Sequence, residues 1–229
     1  MSRPNNKYRF IISGGGTGGH IFPAIAIANG LRARFPQAQF LFVGAEGRME
    51  MEKVPHAGYE IVGLPIMGLQ RRFTFQNLLL PFMLLKSLWL AKKVVKDFKP
   101  DVAIGVGGYA SAPLLKKAEN LNVPCVIQEQ NSYAGLTNKW LSKKVKTICV
   151  AYDNMGNYFP KDKLVKTGNP VRNDIFNTEV SQNEARFSFK LEEDKKTVLI
   201  VGGSLGAFTI NESIEAMLAD FKKHNIQVL

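Results

Sequence analysis

Ser13-Gly14-Gly15-Gly16-Thr17-Gly18-Gly19-His20 is the stretch that decides the fold. The apolar segment Tyr8-Arg9-Phe10-Ile11-Ile12 runs into it. A helical pattern with Pro23 in its first turn runs out of it, with Ile25, Ile27, Ala28 and Leu31 as its apolar face. Strand, glycine turn and helix in that order read as the opening of a parallel α/β sheet. A tight turn alone accounts for most of the glycines between Gly14 and Gly19. That every residue there but Thr17 is glycine predicts more: backbone N–H groups laid bare to a phosphate or a sugar. Gly14, Gly16 and Gly19 also satisfy the spacing G-x-G-x-x-G, a weak signal by itself. His20 adds a titratable side chain at the end of the turn.

The alternation continues outward. Gln39–Val43 reads as a buried strand ending in Gly44-Ala45-Glu46-Gly47, Met49–Ala57 as a helix and Tyr59–Leu64 as a strand. Asp101–Ile104 is a strand entering a second glycine turn, Gly105-Val106-Gly107-Gly108-Tyr109-Ala110-Ser111. A helix follows to about Leu121, then a strand, Pro124–Ile127, running into Gln128-Glu129-Gln130-Asn131. Such polar residues belong just beyond the carboxyl ends of the strands, where open parallel sheets bind ligands. A helix, Leu136–Lys144, and a strand, Thr147–Ala151, complete the sheet. Residues 153–170 read as an interdomain crossing, and Asn183–Leu191 as an amphipathic stretch. Thr197–Val201 then enters a third turn, Gly202-Gly203-Ser204-Leu205-Gly206-Ala207, followed by a helix from about Thr209 to Lys223. Asn225–Leu229 reads as the start of another strand. The expectation is a first domain over 1–165 and a second, incomplete one over 166–229, in a chain cut short of its C-terminus and inactive by itself.

With 229 residues, 45% hydrophobic and 21% charged, the chain is globular. Thirty Lys and Arg against 19 Asp and Glu give a net charge of +11, which implies an anionic partner unless the excess serves only solubility. Cys125 and Cys149 lie in apolar runs and read as buried hydrophobes of a reducing compartment, not as a disulfide or metal ligands. The polar start of the chain lacks the apolar core of a signal peptide. Between 65 and 100, the run Leu78–Leu90 is too short to span a bilayer and is broken by Pro81 and Lys86. It reads as a buried helix with a basic end, or as an apolar and basic face resting on an anionic membrane; both can hold on different sides.

Five motifs, taken together and in order, resemble one family. They are Gly15–His20; Gly107–Ser111; Glu129-Gln130-Asn131 with Ala134–Lys139; Gly168-Asn169-Pro170-Val171-Arg172; and Gly202–Ala207. This set is similar to the MurG family of bacterial glycosyltransferases and covers nearly the whole chain. The resemblance implies a GT-B architecture of two Rossmann-like domains. It implies an inverting transfer of N-acetylglucosamine from UDP-N-acetylglucosamine to the 4-hydroxyl of lipid I. The product is lipid II, which ties the family to peptidoglycan synthesis, cell shape and cell division. No metal or other cofactor and no nucleic acid are implied. The implied location is peripheral, on the cytoplasmic face of the bacterial plasma membrane, with acceptor and membrane handled by the first domain and the UDP-sugar by the second.

Carried over by motif, Thr17, Gly18, Gly19, Asn131, Arg172 and Ser204 are expected donor contacts, and Gly16, Gly107, Gly108 and Tyr109 an acceptor or phosphate loop. Leu79, Phe82, Leu85, Trp89, Arg71 and Arg72 are the expected membrane face. His20 is a candidate base, or a residue that only positions a phosphate or hydroxyl; the residues leave both open. Glu129 is a second candidate base or an organiser of its loop. The family pattern has histidine where this chain has Gln128, which cannot carry a proton. Two other classes remain open at this point. One is an NAD(P)-dependent oxidoreductase using Gly14, Gly16, Gly19 and Glu46. The other is a non-catalytic module for anionic ligands.

Overall fold

The computed structural model describes residues 7–68, 75–172, 175, 179–203 and 206–229. They form two compact units, residues 1–173 and 174–229. The first is built on β1 (Arg9–Ser13), β2 (Gln39–Ala45), β3 (Glu60–Leu64), β4 (Val102–Gly105), β5 (Cys125–Glu129), β6 (Thr147–Val150) and β7 (Leu164–Lys166). All pair in parallel, in the order β3-β2-β1-β4-β5-β6-β7. The strand order reverses between β1 and β4, so the crevice of this sheet opens at the carboxyl ends of those two strands. The first two glycine turns follow them.

The helices α1 (Gly18–Arg34), α2 (Glu50–His56), α3 (Phe75–Phe98), α4 (Ser111–Asn120) and α5 (Leu136–Leu141) cover the sheet on both faces. Successive strand residues point to opposite sides. Phe10 and Ile12 therefore join Ile21, Ala24, Ile25 and Ala28 of α1 and Val54 of α2. Ile11 joins Ala91 and Val95 of α3, Leu114 and Leu115 of α4 and Leu141 of α5. This is why β1 reads as a continuous apolar run: it is buried on both faces.

The structure corrects the sequence reading in several places. Helix α1 opens at Gly18, five residues before Pro23, so the last two glycines of the turn form its first turn. Strand β5 extends through Gln128 and Glu129, which are part of the sheet's edge and not beyond it. Residues 153–170 are more than a crossing, because β7 adds a seventh strand through pairs such as Cys149↔Val165. Three residues are too short for a hydrophobic period to register. The run Leu78–Leu90, read as helical, lies within α3, which includes Pro81.

The second unit holds α6 (Gln182–Ser188), β8 (Lys196–Val198), α7 (Phe208–Lys223) and β9 (Ile226–Val228). Ser181 starts α6 with a full capping box: its side chain accepts from Glu184 N, and the Glu184 carboxylate accepts from Ser181 N. β8 and β9 pair in parallel. β8 is shorter than the expected Thr197–Val201, although Ile200 N still donates to Leu229 O at 2.9 Å.

Candidate active site

The turn after β1 and the turn after β4 interlock. Gly107 (φ +86°) and Gly108 (φ +77°) both adopt the left-handed backbone that favours glycine. A methyl group at Gly108 would lie 2.2 Å from the Gly15 carbonyl oxygen; at Gly107 it would lie 3.0 Å from His20 Nε2. The glycines are thus what lets one turn press its backbone against the other and against the imidazole. Gly16 (φ +88°) makes room in the same way for the ring of Tyr109, which also packs on Gly68. Burial pushes the Tyr109 hydroxyl up, with Arg48 working in the opposite direction.

Beneath the first turn lies a residue that the motifs did not reveal. Glu50, the first residue of α2, is fully buried. Its carboxylate accepts from Gly16 N at 3.2 and 3.1 Å and from Ala45 N at 3.0 Å. The expectation that the whole turn bares its N–H groups therefore needs correcting: the Gly16 N–H is turned inward onto an internal anion. The outward donors are those of Gly18 and Gly19, which open α1 and have no acceptor within the helix. Thr17, the N-cap, leaves them uncapped, because its hydroxyl is paired with His20 Nδ1 at 3.0 Å. With no acidic residue in the first turn of α1, the positive end of the helix dipole is not neutralised there.

His20 lines a cavity of about 240 Å³ with Gly107, Gly108, Glu129, Asn131, Gly135, Leu136, Thr137 and Asn138. Burial lowers the affinity of its ring for a proton, and the Glu129 and Glu50 carboxylates partly offset that. Glu129 is itself buried and fully engaged. Its Oε1 accepts from Asn131 N (3.1 Å) and Nδ2 (3.0 Å), and its Oε2 from Gly135 N and Asn138 Nδ2 (both 3.0 Å). Four donors on one carboxylate make a clasp that holds the 129–138 loop, with little lone pair left for a substrate proton. Asn138, which lies in one of the five motifs but is given no role by the sequence alone, is 2% exposed. Its amide donates to Gln128 O and Glu129 Oε2, while its Oδ1 is buried without a protein partner. Gln128 donates weakly to Asn169 Oδ1 at 3.5 Å, and Asn169 in turn donates to Gln130 O.

The structure thus brings Gly16, Thr17, Gly18, Gly19, His20, Gly107, Gly108, Tyr109, Glu129 and Asn131 to one end of one sheet. Arg172 is placed with its guanidinium carbon 4.8 Å from the Phe22 ring centroid, beside the start of α1. Elsewhere, α3 exposes Phe82 (71%), Leu85 (65%) and Trp89 (62%) while burying Ser87, Ala91 and Val95. The buried side of this helix is as the first reading expects, and the other side leaves an apolar face exposed. Arg71, Arg72 and Ser204 lie outside the described residues, as does the side chain of Leu79. Glu46, the ribose candidate of the oxidoreductase reading, is exposed at the end of β2. Both cysteines are free, and burial pushes the Cys125 thiol up to about 12. Among the described residues, no three His, Cys, Asp or Glu side chains gather as a metal would require.

Fold and site together define a class: a Rossmann-like unit of the GT-B type, with glycine turns and a polar cavity at the switch point of its sheet. Residues 10–150 match the glycosyltransferase family 28 N-terminal domain, and the chain belongs to that family. It is 58% identical over 223 residues to the UDP-N-acetylglucosamine--N-acetylmuramyl-(pentapeptide) pyrophosphoryl-undecaprenol N-acetylglucosamine transferase of Parabacteroides distasonis, covering 97% of this chain and 61% of that protein. The transferase of the same name from Cytophaga hutchinsonii is 59% identical over 227 residues, covering 99% and 62%. Among solved structures, that of Acinetobacter baumannii MurG superposes with a TM-score of 0.71 at 28% identity, covering 97% of this chain and 68% of that one. The chain spans about three fifths of the length of these two curated relatives. Membership in a glycosyltransferase family sets the oxidoreductase reading aside.

Proposed function

We propose that the protein is an inverting N-acetylglucosaminyltransferase that moves N-acetylglucosamine from UDP-N-acetylglucosamine to the 4-hydroxyl of the muramoyl sugar of lipid I. The first unit handles the acceptor and the second belongs to the donor side. The observation that carries this reading is the cavity in which a half-buried imidazole, held below the usual histidine value by desolvation, sits beside a clasped polar loop, in a chain 58% identical to a transferase of that name.

In the transfer, the acceptor hydroxyl gives its proton to His20 Nε2. Its oxygen bonds to the anomeric carbon, and the bond from that carbon to the UDP oxygen breaks, the electron pair leaving with UDP. For Nε2 to accept the proton, Nδ1 must carry the ring hydrogen and donate it to Thr17 Oγ1. Thr17 is then the residue that sets the tautomer. The helix start at Gly18 and Gly19, together with Arg172, supplies positive charge for the departing diphosphate. Glu129 organises Asn131 and Asn138 and is not the base, because both its oxygens are occupied. Gly107 and Gly108 shape the acceptor side, and Gly16 serves by its conformation and by seating Tyr109. No step calls for a metal.

The exposed Phe82, Leu85 and Trp89, with Lys86, Lys92 and Lys93 exposed on the same helix, fit an anionic bilayer surface. No helix among the described residues is long and apolar enough to cross a membrane. The exposed apolar and basic face of α3 supports a peripheral enzyme that meets a polyprenyl-linked acceptor at the cytoplasmic surface. The test is transfer of labelled N-acetylglucosamine to a lipid I analogue, with the chain extended to the length of its relatives. Turnover that falls about 100-fold or more in His20→Gln is expected. Full turnover in that variant removes His20 as the base, and no turnover by the wild type overturns the activity.

A further inference from the structure

We infer that Glu50 is a positioning residue of the reaction: a built-in anion that occupies the inner face of the first glycine turn and thereby sets where His20 and the outward N–H groups stand. The inference rests on the reading of His20 above and extends it to a side chain that does not line the cavity.

Three observations converge on it. First, the carboxylate is fully buried, a costly state unless its lone pairs are met, and they are met by the turn itself through Gly16 N and by Ala45 N at the end of β2. Second, two glycines give way to it. A methyl group at Gly15 would lie 2.1 Å from Glu50 Oε1, and one at Gly44 would lie 2.5 Å from its Cγ. Neither glycine has a positive φ, so their lack of a side chain serves this carboxylate and not an unusual backbone. Third, the charge is felt at the site. The groups that face His20 electrically are Glu129 from β5 and Glu50 from α2, and both oppose the effect of burial on its ring. The same charge also acts on Tyr109, whose hydroxyl feels Arg48 as well.

The consequence is a division of labour within one turn. In a phosphate-binding turn of this spacing, every N–H is offered to the ligand. Here the inner N–H is satisfied from within, and the ligand-facing donors begin at Gly18. The internal negative charge also discourages a diphosphate from sinking to the base of the turn. It keeps the imidazole a better proton acceptor than its burial alone would leave it.

Two readouts on Glu50→Gln and Glu50→Asp, in the chain extended to its relatives' length, test this. The first is an NMR titration of the histidine rings. These 229 residues contribute His20, His56 and His224, and His20→Gln identifies the His20 signal among all the histidine rings. Glu50→Gln is expected to lower the His20 midpoint by about 0.3 to 1 pH unit, less than the 1 to 3 units of a carboxylate in direct contact. This readout does not depend on any transfer activity. The second is the pH profile of kcat/KM on the lipid I analogue. Its acid limb should move down with the NMR midpoint, and the plateau should fall about 10- to 100-fold through a loss of alignment. Glu50→Asp, which keeps the charge but withdraws it from Gly16, should lose the plateau with a smaller shift of the limb. An unmoved His20 midpoint in folded Glu50→Gln overturns the inference. So does a loss of turnover accounted for entirely by loss of folded protein. Absence of turnover in the wild type, with the midpoint shifted as expected, overturns the transferase reading and the catalytic part of the inference, while the hold of Glu50 on His20 and the turn stands.

Discussion

Replacing Glu129 by Gln separates an organiser from a base. The change keeps the shape and removes the charge. One oxygen, together with the two hydrogen bonds it accepts, becomes an amide nitrogen pointed at two donors. If Oε2 is the one replaced, those donors are Gly135 N and Asn138 Nδ2; if Oε1, they are Asn131 N and Nδ2. Hydrogen bonds to a charged acceptor are worth about 1.5 to 3 kcal/mol each, so losing two removes about 3 to 6 kcal/mol. Removing a buried charge returns part of its desolvation cost, which brings the net loss to about 3 kcal/mol. For a unit of this size, about 2 to 4 °C in melting temperature accompanies each kcal/mol, so the transition should fall by about 6 to 12 °C. Circular dichroism melts of wild type and Glu129→Gln at pH 7.5 measure it. A variant that melts within about 2 °C of wild type yet transfers no sugar refutes the argument, because that is how a catalytic base with idle lone pairs behaves.

Two further outcomes follow from the same geometry. Burial holds the His20 ring below the usual histidine value of about 6.5, so the folded protein prefers it neutral. Its contribution to stability is therefore complete above that value and is lost as pH falls from there through the folded midpoint. Urea unfolding at pH 8 and at pH 5 should show a smaller difference in His20→Gln than in wild type, and an equal difference counts against the assignment. Changing Phe82, Leu85 and Trp89 together to Ser should weaken sedimentation with anionic vesicles by about tenfold or more while leaving the melt nearly unchanged, since all three are more than 60% exposed. Undiminished binding to those vesicles would remove α3 as the membrane face.

Much of this molecule is legible before it is folded, because parallel sheets advertise themselves. Strands buried on both faces must be apolar throughout, as Phe10-Ile11-Ile12 is. Turns that bring backbone close to backbone must be glycine, as at Gly107 and Gly108. What the sequence hides is of two kinds. Short elements such as Leu164–Lys166 carry no period and become strands only because β6 offers them a free edge. Contacts between distant residues carry no local mark either: nothing around Glu50 announces a partner 34 positions away in the first turn.

The opening glycine stretch shows where the boundary lies. By itself, the sequence determined that this stretch joins a strand to a helix and that a titratable imidazole ends it, since residue type alone sets backbone freedom and proton chemistry. Which of its N–H groups face outward was decided by tertiary structure alone. That depends on where a buried carboxylate from α2 arrives, and a charge out of water goes only where the fold has donors waiting for it.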